Sequence, residues 1–210
     1  MTDPAKLTLH YHPFSRAATV VWMLEEVGIP YELRYIDLKA GEQRTPELRK
    51  VNPMGKVPAL IDGDTIVTET AAIGLYLADR HALGTLAPRL DEKERGTYYR
   101  WILFAPSVIE PGAVAKAGEW KVGVGQVGWG DYDSMLATME HAIGRGPWLL
   151  GERFTMADVV FGATLRFMLR FKMLTTTPTF TAYVERLSER PACKAADAKN
   201  MTIAKERGLV

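Results

Sequence analysis

A single cysteine, Cys193, stands in a chain of 210 residues. One cysteine excludes an intrachain disulfide and any zinc site built on several thiolates. The four histidines are scattered and lack metal-ligand spacing. No apolar run approaches the roughly 20 residues that cross a bilayer, so no membrane partner is expected. Charge of one sign is missing as well: 26 Lys and Arg face 25 Asp and Glu, a net charge of +1. That balance argues against a dedicated binder of nucleic acid or of anionic membranes. The first residues, Met1 to Lys6, have no apolar core, so a secretory leader is not expected and a reducing cytoplasm is the expected location. Cys193 follows Arg190-Pro191-Ala192 and is expected to pack rather than react, as free cysteines usually do.

What is present is an ordinary globular composition, 47% hydrophobic and 24% charged. It is enough for a core in one large or two small domains. Residues 6–80 alternate strand and helix signals. Lys6 to Tyr11 is β-prone, and Ser15 to Val27 is helical between a candidate N-cap, Ser15, and a stop at Gly28. Tyr31 to Asp37 alternates like a strand, and Thr45 to Lys50 forms a short helix. Pro58 to Ile61 and Thr65 to Thr68 flank Asp62-Gly63-Asp64, a hairpin signal. Glu69 to Arg80 is helical, with Ala72, Ile73, Tyr76 and Leu77 on one face. The order βαβαββα predicts a small mixed sheet backed by helices.

Residues 83–90 read as a linker, and 91–210 carry no strand signal. Asp91 to about Lys116 is a long helical pattern that Pro106 and Pro111 should kink. Gly118 to Gly130 is loop-like, and Tyr132 to Ile143 is a helix. Thr155 and Asp158 form a capping box for a helix to about Phe171, with Phe154 placed to staple onto Val159. Pro178 to Ser188 and Ala192 to Glu206 close the chain. Domains are therefore expected at 1–82 and 91–210, a thioredoxin-like α/β unit and an all-helical bundle, with the cleft between them as the default ligand site. Gly123, Gly125 and Gly128 match a dinucleotide fingerprint, but they follow a helix rather than a strand, so no nucleotide is expected.

Asn52 to Leu77 holds the most chemistry. A Val57-Pro58 step can leave a backbone N–H and C=O free for an extended peptide. Glu69 and Thr70 open a helix, where free N–H groups favour a carboxylate. A small, charged, peptide-like ligand fits both.

The chain resembles the cytosolic glutathione S-transferases over essentially its whole length, in their bacterial, phi or theta-like serine type. The resemblance rests on His12-Pro13-Phe14-Ser15-Arg16, on Leu24 to Glu32, on Gly41 to Glu47, on Asn52 to Leu60, on Glu69 to Ile73, and on Phe154 to Asp158. It implies a cis bond at Val57-Pro58 and a backbone ladder from Val57 to the cysteinyl residue of glutathione. It implies that Thr70 binds the γ-glutamyl carboxylate and Glu69 the ammonium. Gln43 and Arg44 would meet the glycyl carboxylate, assisted by Lys56. Ser15 would donate a hydrogen bond to the glutathione sulfur, with Tyr11 as the alternative hydroxyl and Arg16 in support. Phe14, Tyr98, Trp101, Phe104 and Ala105 are candidate walls for a hydrophobic electrophile.

By the same resemblance the protein is a homodimeric detoxification enzyme. Glutathione is its co-substrate, and no metal or nucleotide is expected. Glutathione-dependent isomerisation, dehalogenation or ether cleavage are alternatives on the same scaffold, as is a non-catalytic binding or assembly role.

Overall fold

The computed structural model describes residues 7–210. The expected first strand residue, Lys6, and the expectation of no leader in residues 1–6 lie outside the described residues. Two compact units emerge. One takes the described residues up to His81 together with Arg190–Val210, the other Ala82–Glu189.

The first unit is a four-stranded mixed sheet. β1 (Leu7–Tyr11) runs parallel to β2 (Tyr31–Tyr35) and antiparallel to β3 (Ala59–Asp62), and β4 (Thr65–Thr68) forms the far edge. Asp62 pairs with Thr65 across Gly63-Asp64, so the Asp-Gly signal does make a two-residue hairpin. α1 (Ala17–Val27) buries Val20, Val21, Met23 and Leu24. α2 (Pro46–Val51) starts at Thr45, whose Oγ1 accepts the Leu48 N–H at 3.3 Å, and α3 (Thr70–His81) follows β4. The order is the βαβαββα expected of a thioredoxin-like domain.

The second unit is helical: α4 (Arg95–Phe104), α5 (Glu110–Ala117), α6 (Tyr132–Ile143), α7 (Met156–Arg170) and α8 (Pro178–Ser188). Between α4 and α5 the chain widens into one π turn, Ala105–Ile109. Pro106 lies in that turn and has no N–H to give, so the regular α-helical hydrogen-bond ladder is interrupted there. The Ser107 hydroxyl takes up the Leu103 carbonyl at 2.6 Å. Gly118–Gly130 contains a single 3₁₀ turn, Val124–Gln126, set between helices rather than after a strand. A Cβ on Gly162 would meet Leu187 at 2.2 Å, so only glycine lets α7 and α8 approach this closely.

The capping box at Thr155 is the polar centre of this unit. Asp158 is fully buried. Its Oδ2 accepts the Thr155 N–H at 2.9 Å and the Thr155 hydroxyl at 3.2 Å. Its Oδ1 accepts the Leu149 N–H and the Tyr183 hydroxyl, both at 2.8 Å. Burial still pushes the carboxyl up to about 6, although all four donors favour the ionised form. Phe154 packs edge-on against Trp148, with ring centres 4.9 Å apart.

α9 (Pro191–Glu206) packs on α1. Arg190 donates to both Glu26 oxygens at 2.7 Å, a bidentate pair. Lys199 donates to Glu25 at 2.6 Å and to the Tyr31 hydroxyl at 2.7 Å. Cys193 is buried on this helix. Residues 190–210, expected with the helical bundle, find these partners on α1 and β2 of the sheet unit. Among the described residues, no helix is long and apolar enough to cross a membrane.

Candidate functional site

β1 delivers the chain to a turn, His12 to Arg16, and α1 begins just beyond it. His12 is buried, and its Nδ1 accepts the Phe14 N–H at 3.1 Å, which fixes the neutral tautomer with the proton on the other nitrogen. Burial lowers its pKa, against a smaller opposing pull from Asp37. The Ser15 hydroxyl donates to the His12 carbonyl at 2.8 Å and accepts the Ala17 N–H at 3.1 Å. Ser15 therefore caps the first turn, one residue ahead of the assigned cap, Arg16. The bond runs to the His12 backbone and not to its imidazole, so Ser15 and His12 do not form a hydrolytic pair. The same carbonyl also accepts the Ser15 N–H at 3.2 Å. The hydroxyl proton can thus rotate toward a ligand without leaving that carbonyl unsatisfied.

Tyr11 is placed differently. It is fully buried, and its hydroxyl donates to Asn200 of α9. Burial, then the neighbouring Tyr31, raise its pKa well above the usual tyrosine value. In this enclosed position the hydroxyl proton is taken up by Asn200. The alternation Leu7, Leu9, Tyr11 along β1 is the sequence signal that puts it on the buried face.

The Val57–Pro58 peptide bond is cis. Among the described residues, no hydrogen bond takes up the Val57 N–H or C=O. His10 pairs with Ala59 in the sheet, so Val57 lies two residues ahead of β3, at the end of β1 that leads to the His12 to Arg16 turn. The loop before Val57 is held by Asn52, which sequence reasoning missed. Asn52 is buried; its amide donates to the Lys56 carbonyl at 2.9 Å and its Oδ1 accepts the Met54 N–H at 3.0 Å. The Asn-Pro-Met-Gly pattern was the available signal, since asparagine often closes such turns.

Gly55 brings this loop against Gln43 and Arg44. It has φ +60°, and a Cβ there would meet the Gln43 carbonyl at 3.1 Å and the Arg44 Cγ at 3.5 Å. Arg44 and Lys56 are exposed cations, and the Gln43 Oε1 is buried without a hydrogen-bond partner among the described residues. Asp37 and Glu42 shape the approach: Asp37 accepts the Lys39 and Ala40 N–H groups at 2.9 Å, and Glu42 accepts the Asp37 N–H at 2.7 Å.

Glu69 stands immediately before α3 with φ +66°, a left-handed conformation that a side-chain-bearing residue seldom adopts. Its carbonyl closes the first turn by accepting the Ile73 N–H at 2.9 Å. Thr70 is the first residue of α3 and half-buried. Backbone held in this way clusters at ligand-binding positions. The sheet unit thus carries a free backbone pair at Val57, a helix N-terminus at Thr70, and exposed cations at Arg44 and Lys56.

The expected apolar walls fare unevenly. Phe14 is 47% exposed, next to Ser15. Tyr98 and Ala105 expose no surface, and Trp101 is buried edge-on against Phe161 of α7. These three belong to the core of the helical unit, because they lie on the inner side of α4 and its π turn. Phe104 is half-buried. Among the described residues, no group of His, Cys, Asp or Glu is placed to hold a metal ion.

Comparison with known proteins agrees with this architecture. The family "Glutathione S-transferase, N-terminal domain" matches residues 5–79, and "Glutathione S-transferase, C-terminal domain" matches residues 89–195. The chain belongs to the glutathione S-transferase family. Glutathione S-transferase F14 of Arabidopsis thaliana is 29% identical over 98% of this chain and 89% of its own length. The glutathione transferase URE2P6 from Phanerochaete chrysosporium, solved in complex with oxidized glutathione, is 26% identical. It superposes with a TM-score of 0.79 over 97% of this chain and 100% of its own. A glutathione transferase from Burkholderia graminis, with two glutathione molecules bound per subunit, is 25% identical with a TM-score of 0.76 over 93% of this chain and 89% of its own.

Proposed function

We propose that this chain binds glutathione on its sheet unit and activates the thiol for attack on hydrophobic electrophiles. The observation that carries the reading is the free N–H and C=O of Val57, one strand over from Ser15. An extended cysteinyl residue pairs with both, as in strand addition. Thr70 and the α3 N-terminus take the γ-glutamyl carboxylate, and Glu69 takes the ammonium. Arg44, Gln43 and Lys56 take the glycyl carboxylate. The Ser15 hydroxyl then turns from the His12 carbonyl to the sulfur. A free thiol with pKa near ~8.5 is only a few per cent ionised at neutral pH. A hydrogen bond to the thiolate, aided by the α1 N-terminus, lowers that value. The thiolate forms a carbon–sulfur bond as the leaving group departs, with Phe14 as an apolar contact for the electrophile.

The direct test is conjugation of 1-chloro-2,4-dinitrobenzene, read with isothermal titration of glutathione. Turnover and micromolar to millimolar binding support the reading; no binding at millimolar glutathione overturns it in favour of an assembly role. The oxidized glutathione bound to URE2P6 favours a second reading, thiolate attack on a glutathione-containing disulfide. A mixed-disulfide substrate assayed beside the aryl chloride separates the two.

Asn52→Ala should weaken glutathione binding about fivefold or more, because the Lys56 carbonyl and Met54 N–H lose their partner and the Val57 loop loosens; each such hydrogen bond is worth about 1 kcal/mol. Unchanged affinity would show that Asn52 does not position the loop. The homodimer is part of the proposal. Tyr99 and Leu103, one turn apart on α4, are 38% and 48% exposed, and Met54 is 71% exposed. Leu103→Glu should shift the solution mass from dimer to monomer; a wild type that is already monomeric at micromolar concentration rejects this part.

A further inference from the structure

We propose that the helical unit carries a second binding site, for a small dianion with a flat apolar body such as an aryl phosphate. The site is a solvent-open depression of about 490 Å³ at the C-terminal end of α6, and the described residues lining it all belong to the helical unit. Its volume falls in the range of small-molecule pockets, about 300–1,000 Å³. Ile143, Pro147 and Ala182 supply apolar wall, while Arg145, Arg186 and Thr179 supply donors. Among the described residues, no carboxylate lines it.

Arg186 is pre-set. Its Nη1 donates to the Pro147 carbonyl at 2.8 Å, and its guanidinium lies 5.8 Å from the Trp148 ring centre. Those two contacts hold the guanidinium beside the depression and leave donors over for a phosphate. Arg145 contacts His141 at 3.5 Å, a long bond that yields easily to a better acceptor. The carbonyl end of α6 opposes an anion, but with only about half a charge, against two guanidiniums. Two cations with no acid among the lining residues favour a dianion over a monoanion, and the aliphatic wall favours an apolar body over inorganic phosphate. None of these residues has a part in the glutathione site, so this inference stands or falls apart from that reading.

The probe is 1-naphthyl phosphate, titrated calorimetrically into the full chain with and without S-hexylglutathione. The expected result is one equivalent bound in both cases, at least tenfold tighter than 1-naphthol and tighter than naphthalene-1-sulfonate. Arg145→Glu should weaken binding at least tenfold, and Ala182→Trp, which fills the depression without changing charge, should abolish it. Both variants should keep the wild-type melting temperature and conjugation rate. Binding that survives both substitutions, or 1-naphthol binding as tightly as its phosphate, overturns the proposal.

Discussion

Ser15→Ala is expected to lower the conjugation rate at neutral pH roughly 10- to 100-fold while leaving glutathione affinity within about threefold. The asymmetry follows from the geometry. The Val57 backbone and the α3 N-terminus do the proposed binding, and neither involves the serine hydroxyl. A shift of two pKa units corresponds to about 2.7 kcal/mol of selective stabilisation of the thiolate, which is the scale expected to be lost. Thiolate absorbance of the binary complex, titrated against pH, should therefore move up toward the free-thiol value in the variant. Part of the change is structural, because Ser15 also accepts the Ala17 N–H at 3.1 Å. Ser15→Thr retains both the hydroxyl and the cap and should recover most of the rate. Turnover unaffected by Ser15→Ala would remove the serine from the chemistry. Tyr11 would not be the natural successor, since its hydroxyl is committed to Asn200.

Asp158→Ala should have the largest effect on stability, about 3–5 kcal/mol, or a fall in Tm on the order of 10 °C. It leaves two N–H groups, Leu149 and Thr155, and two hydroxyls, Thr155 and Tyr183, without their acceptor inside the helical unit. Asp158→Asn should lose less, since an amide oxygen keeps some of those bonds while its NH₂ faces donors. The pH dependence has a defined sign. Burial holds the Asp158 carboxyl at about 6, against 3.8 for an ordinary aspartate. Between those values the folded protein keeps a proton that the unfolded chain has released. The group's contribution is therefore full below pH 3.8 and is lost as the pH rises through 6. The stability gap between wild type and Asp158→Asn, measured by urea unfolding, should narrow from pH 4 to pH 7. A gap that widens over that range would mean that the four donors outweigh burial.

The order of elements was legible because each is bounded by local chemistry. Asp62-Gly63 sets the hairpin, Gly28 ends α1, Thr45 starts α2, and Thr155 with Asp158 marks the start of α7. Pro106 marked the break in the long helix after Asp91, although it could not say that the break would be a π turn. The docking of α9 was not legible. Arg190 pairs with Glu26 across 164 residues of sequence, and helical periodicity says nothing about which helix an apolar or charged face will meet. The same limit explains Tyr98, Trp101 and Ala105. Their residue types suit a ligand wall or a core equally, and only packing against α7 decides between them. In the candidate site, motif order singles out Ser15, Val57, Glu69 and Thr70, whose contacts with glutathione belong to the proposal. His12 and Asn52 are not singled out, because they act on loop backbone rather than on a ligand, and many sequences can hold a loop.

The most direct test of the central claim is a crystal structure of the protein soaked with glutathione. The cysteinyl backbone should lie on the Val57 N–H and C=O, and the γ-glutamyl carboxylate at Thr70. The sulfur should lie within about 3.5 Å of the Ser15 Oγ, with that hydroxyl turned away from the His12 carbonyl. Glutathione bound elsewhere, or bound at Val57 with its sulfur out of reach of Ser15, would contradict it.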